Sequence, residues 1–277
     1  MKNQKQWLIT GVSKGLGREI ANIVHKNGDK VIGFVRKEED KKRLEEEVLG
    51  ITIYILDLEQ SERFESVIVD VIKNEGRIDV LVNNAGYGMF GLFEEISVQE
   101  LRKQFEINVF SKWSLINAVL PQMRKQQSGV IVQISSRLGI LAGIGNSAYS
   151  SAEFAIEGMS ESLAEEVKAF GIQVMLVEPG PMRTSFFGSS INFANKEIIE
   201  YQNFFKNLRS NFKDKDGKQK GDPTKIAEII YEQVNQKQIP FRLPITTVTI
   251  DALRLKSECY KKLVECWSDK AKSVDTL

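Results

Sequence analysis

Strand-like apolar runs alternate with amphipathic helical stretches, and this alternation constrains the fold more than any other feature of the chain. Trp7-Leu8-Ile9-Thr10 is a short apolar run that ends at glycine. Residues 18–26 place Ile20, Ile23 and Val24 at helical spacing before Gly28 stops them. Residues 31–35 predict a second strand, 37–49 a charged helix, and 51–56 a third strand rich in β-branched residues. A helix over 61–74 turns Phe64, Val67, Ile68, Val71 and Ile72 inward, and 78–82 follows as a fourth strand. A long helix over 98–126 carries Pro121 near its end as a kink or break. Further strands are expected at 130–134 and 172–177, around a helix from about residue 149 to 170. Continuous apolar strands joined by amphipathic helices mean βαβ units, hence a parallel sheet covered on both faces. Right-handed crossovers make this an α/β, doubly wound sheet.

After Pro181 the pattern weakens. Gly221-Asp222-Pro223 introduces a helix over 224–235, Phe241-Arg242-Leu243-Pro244 reads as a last edge strand, and 251–267 as a closing helix. The lysine-rich stretch 213–220 reads as a solvated loop. No linker divides the chain. A single domain over 1–277 is expected, with 186–277 as a variable substrate lid and C-terminal extension.

Charge and residue types remove several kinds of chemistry. Lys plus Arg is 38 against 37 Asp plus Glu, a net charge of +1, which leaves no strongly basic face for nucleic acid. The only histidine, His25, falls at the end of a helical stretch, and Cys259 and Cys266 stand on a predicted helix outside any Cys/His pattern. A metal centre, a histidine base and a disulfide framework are therefore not expected. No run of roughly 18 apolar residues occurs, so no membrane span is expected. The opening MKNQKQWLIT has no leader-like apolar region, and the location is cytoplasmic by default.

The first strand runs into Thr10-Gly11-Val12-Ser13-Lys14-Gly15-Leu16-Gly17, and a helix follows. Glycines there allow a sharp turn and a close approach of phosphate to backbone. The helix N-terminus then presents free N–H groups and the positive end of its dipole to the anion. No Gly-Lys-Ser/Thr closes the loop, so a mononucleotide P-loop is excluded. In its context of strand, turn and helix the glycine trio predicts a phosphate-binding loop.

With that loop the chain resembles the short-chain dehydrogenase/reductases. Asp57-Leu58 follows the third strand, Asn83-Asn84-Ala85-Gly86 the fourth, and Asn108 lies in the long helix. Ser136 closes the fifth strand and Tyr149 follows at the family's interval; Glu178-Pro179-Gly180-Pro181 with Thr184 matches the nicotinamide-side loop. The resemblance covers residues 5 to about 190. The segments 221–223 and 241–244 are similar, less specifically, to the subgroup of 17β-hydroxysteroid dehydrogenases. It implies an oxidoreductase that moves a hydride between a dinucleotide and a small alcohol or carbonyl compound. It implies a cofactor site of Gly11, Ser13, Lys14, Gly15, Leu16, Gly17, Arg36, Asp57, Leu58, Asn83, Ala85, Gly86, Pro179, Gly180 and Thr184. Tyr149 would move a proton, Ser136 would hold the substrate oxygen, and Asn108 would position a water. A homodimer or homotetramer through the helices over 98–126 and 149–170 is implied as well.

Two positions carry particular information. The second strand ends in Val35-Arg36-Lys37 with no acid, and Lys14 adds charge from the glycine loop; this pattern favours NADP(H) over NAD(H). In Tyr149-Ser150-Ser151-Ala152-Glu153, the family's lysine is replaced by Glu153. A carboxylate there raises the tyrosine pKa, whereas lysine lowers it. Three readings follow: an active reductase that draws its charge elsewhere, with Arg137 as one source; an NADP(H)-binding sensor or scaffold with weakened catalysis; or a substitution introduced into the chain. An isomerase or dehydratase on the same fold is a further alternative. Tyr87, Met89, Phe90, Leu138, Ile140, Leu141, Ile144, Met182, Phe186 and Phe187 cluster in the loops after the strands and predict an apolar substrate pocket.

Overall fold

In the computed structural model, which describes residues 4–48, 50–205 and 217–275, the first half of the chain builds the sheet one βα unit at a time. The elements are β1 (Gln6–Thr10), α1 (Gly15–Lys26), β2 (Lys30–Val35), α2 (Glu38–Glu47), β3 (Thr52–Ile55), α3 (Phe64–Glu75) and β4 (Val80–Asn83). A short β5 (Gly88–Phe90) precedes α4 (Val98–Phe105), α5 (Ser111–Gln126), β6 (Gly129–Ile134), α6 (Ser147–Val167) and β7 (Ile172–Pro179). Beyond them lie α7 (Phe186–Ser189), β8 (Ile191–Phe193), α8 (Ile199–Phe205), α9 (Pro223–Val234), β9 (Arg242–Ile245) and α10 (Thr247–Lys272).

Seven strands form one parallel sheet in the order β3-β2-β1-β4-β6-β7-β9. The alternation of strand side chains divides the core between two faces. Trp7 and Ile9 of β1 face α1 and α9, packing with Ile20, Val24, Ile226 and Ile230. Leu8 faces the other way, with Phe64, Ile68, Leu115 and Val119 of α3 and α5. Strand order reverses between β1 and β4, so the loops that leave their carboxyl ends diverge and open a crevice there.

Several boundaries differ from those expected. The single helix over 98–126 is α4 and α5, joined by a π-helical turn at Glu106–Phe110 that contains Asn108. Pro121 does not end α5. The helix continues to Gln126 on its buried Leu115, Ile116, Val119 and Met123, and stops at Gln127 in the left-handed region, φ 52°. β5 and β8 pair in a separate two-stranded sheet that the sequence pattern did not announce. Leu49, expected at the end of α2, and the part of the lysine-rich stretch over 213–216 lie outside the described residues. Cys259 and Cys266 are free and exposed on α10. No described helix is long and apolar enough to cross a membrane, and no described group of acids, histidine and cysteine could hold a metal.

Candidate active site

The crevice is a cavity of about 1050 Å³ that runs from the β1–α1 loop to the start of α6. Thr10 ties its rim together: its Oγ1 accepts from the backbone N–H of Asn84 at 3.0 Å and of Ala85 at 2.9 Å. Asn84 answers by donating Nδ2 to the Thr10 carbonyl at 2.9 Å. These bonds hold the turn after β4 against the turn after β1. Gly11 and Gly15 adopt φ of +71° and +61°, a region glycine enters without strain. A Cβ on Gly15 would stand 3.5 Å from Thr184, an ordinary contact distance, so the loop and the turn after β7 come close to each other. Both line the cavity at the N-terminus of α1, whose free N–H groups suit a phosphate.

Ser13, Lys14, Leu16, Arg36, Asp57, Leu58, Ala85, Gly86, Pro179, Gly180 and Thr184 line the cavity together with Gly11 and Gly15. Two of the expected contacts do not. Gly17 lies beneath the loop, where a Cβ would stand 2.4 Å from both Asn84 Nδ2 and the Gly11 carbonyl; its role is close packing. Asn83 is still part of β4, buried and paired in register with Gln133, and it is the next residue, Asn84, that turns to the wall. Arg43 was not anticipated: from α2 it donates to the Ser13 carbonyl at 3.1 Å, pairs with Asp40 at 2.7 Å, and joins Lys14, Arg36 and Lys37 along this end of the cavity.

At the other end the strand and helix termini assemble Ser136, Tyr149, Asn108 and Glu153. Ser136 Oγ accepts from the Leu138 N–H at 3.1 Å and so caps the turn after β6. Tyr149 is buried in the first turn of α6, with its ring 5.6 Å from Phe90 and 6.1 Å from Phe186. Asn108 sits where the π-helical turn widens the helix. It accepts from the Tyr87 N–H at 3.2 Å and donates to the Tyr87 carbonyl at 3.0 Å and to Glu153 Oε1 at 3.1 Å. Burial pushes the Tyr149 phenol well above its ordinary value, and Glu153 adds to this, while Ser136 pulls it down. Burial likewise raises the Glu153 carboxyl, opposed chiefly by Lys112.

Lys112 is the second unanticipated member. It enters from α5, 4% exposed, lines the same cavity, and donates Nζ to the Ile134 carbonyl at 2.8 Å. Its signal in the sequence was a lysine standing on the apolar stripe of Leu115, Ile116, Val119 and Met123. Arg137, one source of positive charge considered from the sequence, lines the cavity half-buried, but its guanidinium makes no hydrogen bond or ion pair among the described residues. Tyr87, Phe90, Leu138, Ile144, Met182 and Phe186 supply the apolar wall; Met89 and Ile140 are buried and Leu141 half-buried without lining the cavity, and the side chain of Phe187 is outside the described residues.

A switch-point crevice with a glycine-lined anion cradle at one end and a serine–tyrosine pair at the other defines a dinucleotide-dependent oxidoreductase. Known proteins agree. The short chain dehydrogenase model matches residues 5–193, and the chain belongs to that family. A 3-ketodihydrosphingosine reductase of Bacteroides thetaiotaomicron is 34% identical over 240 residues, 86% of each chain. A short-chain dehydrogenase from Streptomyces avermitilis superposes with a TM-score of 0.90 at 37% identity over 100% of both chains. ElxO in its NADP-bound form gives a TM-score of 0.73 at 27% identity, covering 87% of this chain and 96% of its own. The protein is thus an enzyme that transfers a hydride between a nicotinamide dinucleotide and an alcohol or carbonyl group.

Proposed function

We propose that this enzyme is an NADP(H)-preferring reductase of small hydrophobic carbonyl compounds, working in reverse on the matching alcohols. The observation that carries the reading is the meeting of Ser136, Tyr149 and Asn108 at one end of a cavity whose other end holds Lys14, Arg36 and Arg43. When bound, the dinucleotide supplies the hydride. Ser136 and Tyr149 orient the substrate oxygen, Tyr149 gives it a proton as the carbonyl is reduced, and Asn108 holds the Tyr87 backbone and Glu153 in place behind them. The apolar wall of Phe90, Leu138 and Phe186 excludes water and selects an apolar substrate. A ketone is the first carbonyl to try, since the Bacteroides relative is named as a ketone reductase.

The cations favour the phosphorylated cofactor because guanidinium and ammonium groups complement a 2′-phosphate, and no acid ends β2 to receive a free ribose hydroxyl. Titration of the protein with each reduced cofactor tests this. NADPH is expected to bind at least tenfold tighter than NADH, about 1.4 kcal/mol. Equal or reversed affinities refute it.

Glu153 stands, in this reading, where the family's lysine belongs, in an active enzyme rather than a sensor. The subgroup akin to 17β-hydroxysteroid dehydrogenases rests on Asp222, which caps α9 by accepting from the Thr224 N–H at 3.0 Å, and on the edge strand β9. Residues 186–277 serve as lid and extension. Phe110 and Trp113 of the α4–α5 segment and Phe154 of α6 are exposed, which supports assembly through those helices as a homodimer or homotetramer. A cytoplasmic location fits the free cysteines.

A further inference from the structure

The inward stripe of α5 is apolar except at Ser111 and Lys112, and Lys112 is its one charged member. An ammonium taken out of water is costly unless an opposite charge and hydrogen bonds compensate it. The Ile134 carbonyl satisfies one of its three protons. Burial pulls its ammonium below the ordinary lysine range, and the acids that oppose this are Glu153 and Glu157, both from α6, though neither stands within ion-pair distance of it among the described residues. Glu157 is already engaged: it accepts from Ser135 Oγ and pairs with Arg242 Nη1 at 2.5 Å, and Arg242 also holds Glu178 and Glu161. Glu153 shares Ser135 with it but has no arginine partner among the described residues. It is 2% exposed, its Oε1 takes the Asn108 amide, and its Oε2 is buried at the cavity wall with no hydrogen-bond partner among the described residues.

We propose that Lys112 is a positioning residue that carries, from a different helix, the positive charge the family draws from its lysine. Its ammonium offsets the Glu153 carboxylate, and the unpartnered Oε2 is the atom left to accept a hydrogen bond from a ribose hydroxyl of the dinucleotide. This rests on the dinucleotide reading above. The pair reverses the sense of that contact: the hydroxyl donates to the protein. It also spares Tyr149 an uncompensated anion. The charged and titratable groups that face the pair are Tyr149 and Glu157 from α6 and, behind Glu157, Arg242 from β9.

The test compares the full-length parent with K112M, E153Q, E153K and K112M/E153K. NADPH affinity is read from cofactor fluorescence, and the alkaline midpoint of alcohol oxidation from a pH series. K112M is expected to weaken NADPH by about tenfold or more and to move the midpoint up, because a bare carboxylate disfavours the phenolate. E153Q is expected to move it down, because the ammonium then acts alone. E153K brings two ammonium groups together and weakens binding; K112M/E153K recovers to within about threefold of the parent. Should K112M not fold, E153K against the double variant decides. Parent-like affinity and an unmoved midpoint in K112M overturn the proposal, as does a double variant no better than E153K. A parent that binds neither NADPH nor NADH overturns the dinucleotide reading and this proposal with it.

Discussion

Tyr149 is buried beside a carboxylate, and both conditions disfavour its phenolate. Proton donation to a reduced carbonyl suits such a group; oxidation of an alcohol needs it deprotonated and therefore gains with rising pH. Y149F keeps the ring packing against Phe90 and Phe186 while removing the proton. Turnover is expected to fall by about 10²–10⁴-fold with NADPH affinity kept, as steady-state rates and a binding titration together will report. G17A forces a methyl to within 2.4 Å of the Gly11 carbonyl and Asn84, and is expected to cost about 1–3 kcal/mol in urea denaturation. Ser136, Tyr149 and Asn108 were legible in the sequence because their residue types recur at a fixed interval along a known motif. Lys112 and Arg43 were not, because a helical lysine or arginine reads as surface charge until the packing of its helix is known. The register of the turn after β4 was equally hidden: nothing in Asn83-Asn84 says which of the two leaves the strand.

Among the elements, the strands buried on both faces were legible almost to the residue, since continuous apolar runs have one use in a parallel sheet. β5 and β8 escaped because three residues each carry no readable period. The helix over 98–126 looked continuous because a π-helical turn preserves the apolar stripe while inserting a residue, and the widening falls where Asn108 faces the cavity. The edge strand β9 does more than close the sheet. Its Arg242 reaches the buried Glu178, whose carboxyl is pushed up to about 7 by burial first and by Glu157 second, against the pull of Arg242. A folded-state value above the ordinary 4.5 means that the folded form holds the proton more tightly than the unfolded one. Its contribution to stability is therefore full below about 4.5 and lost as pH rises through about 7. E178Q stays neutral throughout, so its melting temperature is expected to fall less than the parent's between about pH 5 and pH 8. Equal slopes in the two melting series contradict this.

At the scale of the molecule, one sheet of seven parallel strands carries the glycine loop, the Ser136–Tyr149 pair and the apolar wall on the same carboxyl edge. That arrangement was legible because it follows from crossover handedness and strand order. The assembly was less so, since association depends on which exposed faces match. Trp113 and Phe154 lie exposed on the two helices assigned to contact between copies. W113E/F154E is expected to sediment as a smaller species than the parent with secondary structure intact, and an unchanged sedimentation coefficient would remove those helices from the interface. The central claim, hydride transfer at the Ser136–Tyr149 end of the cavity, is tested most directly by following NADPH consumption against a panel of hydrophobic ketones and aldehydes. The expected result is turnover by the parent that Y149F lowers by about 10²–10⁴-fold. NADPH binding without turnover on any member of the panel, or turnover that Y149F leaves untouched, would contradict it.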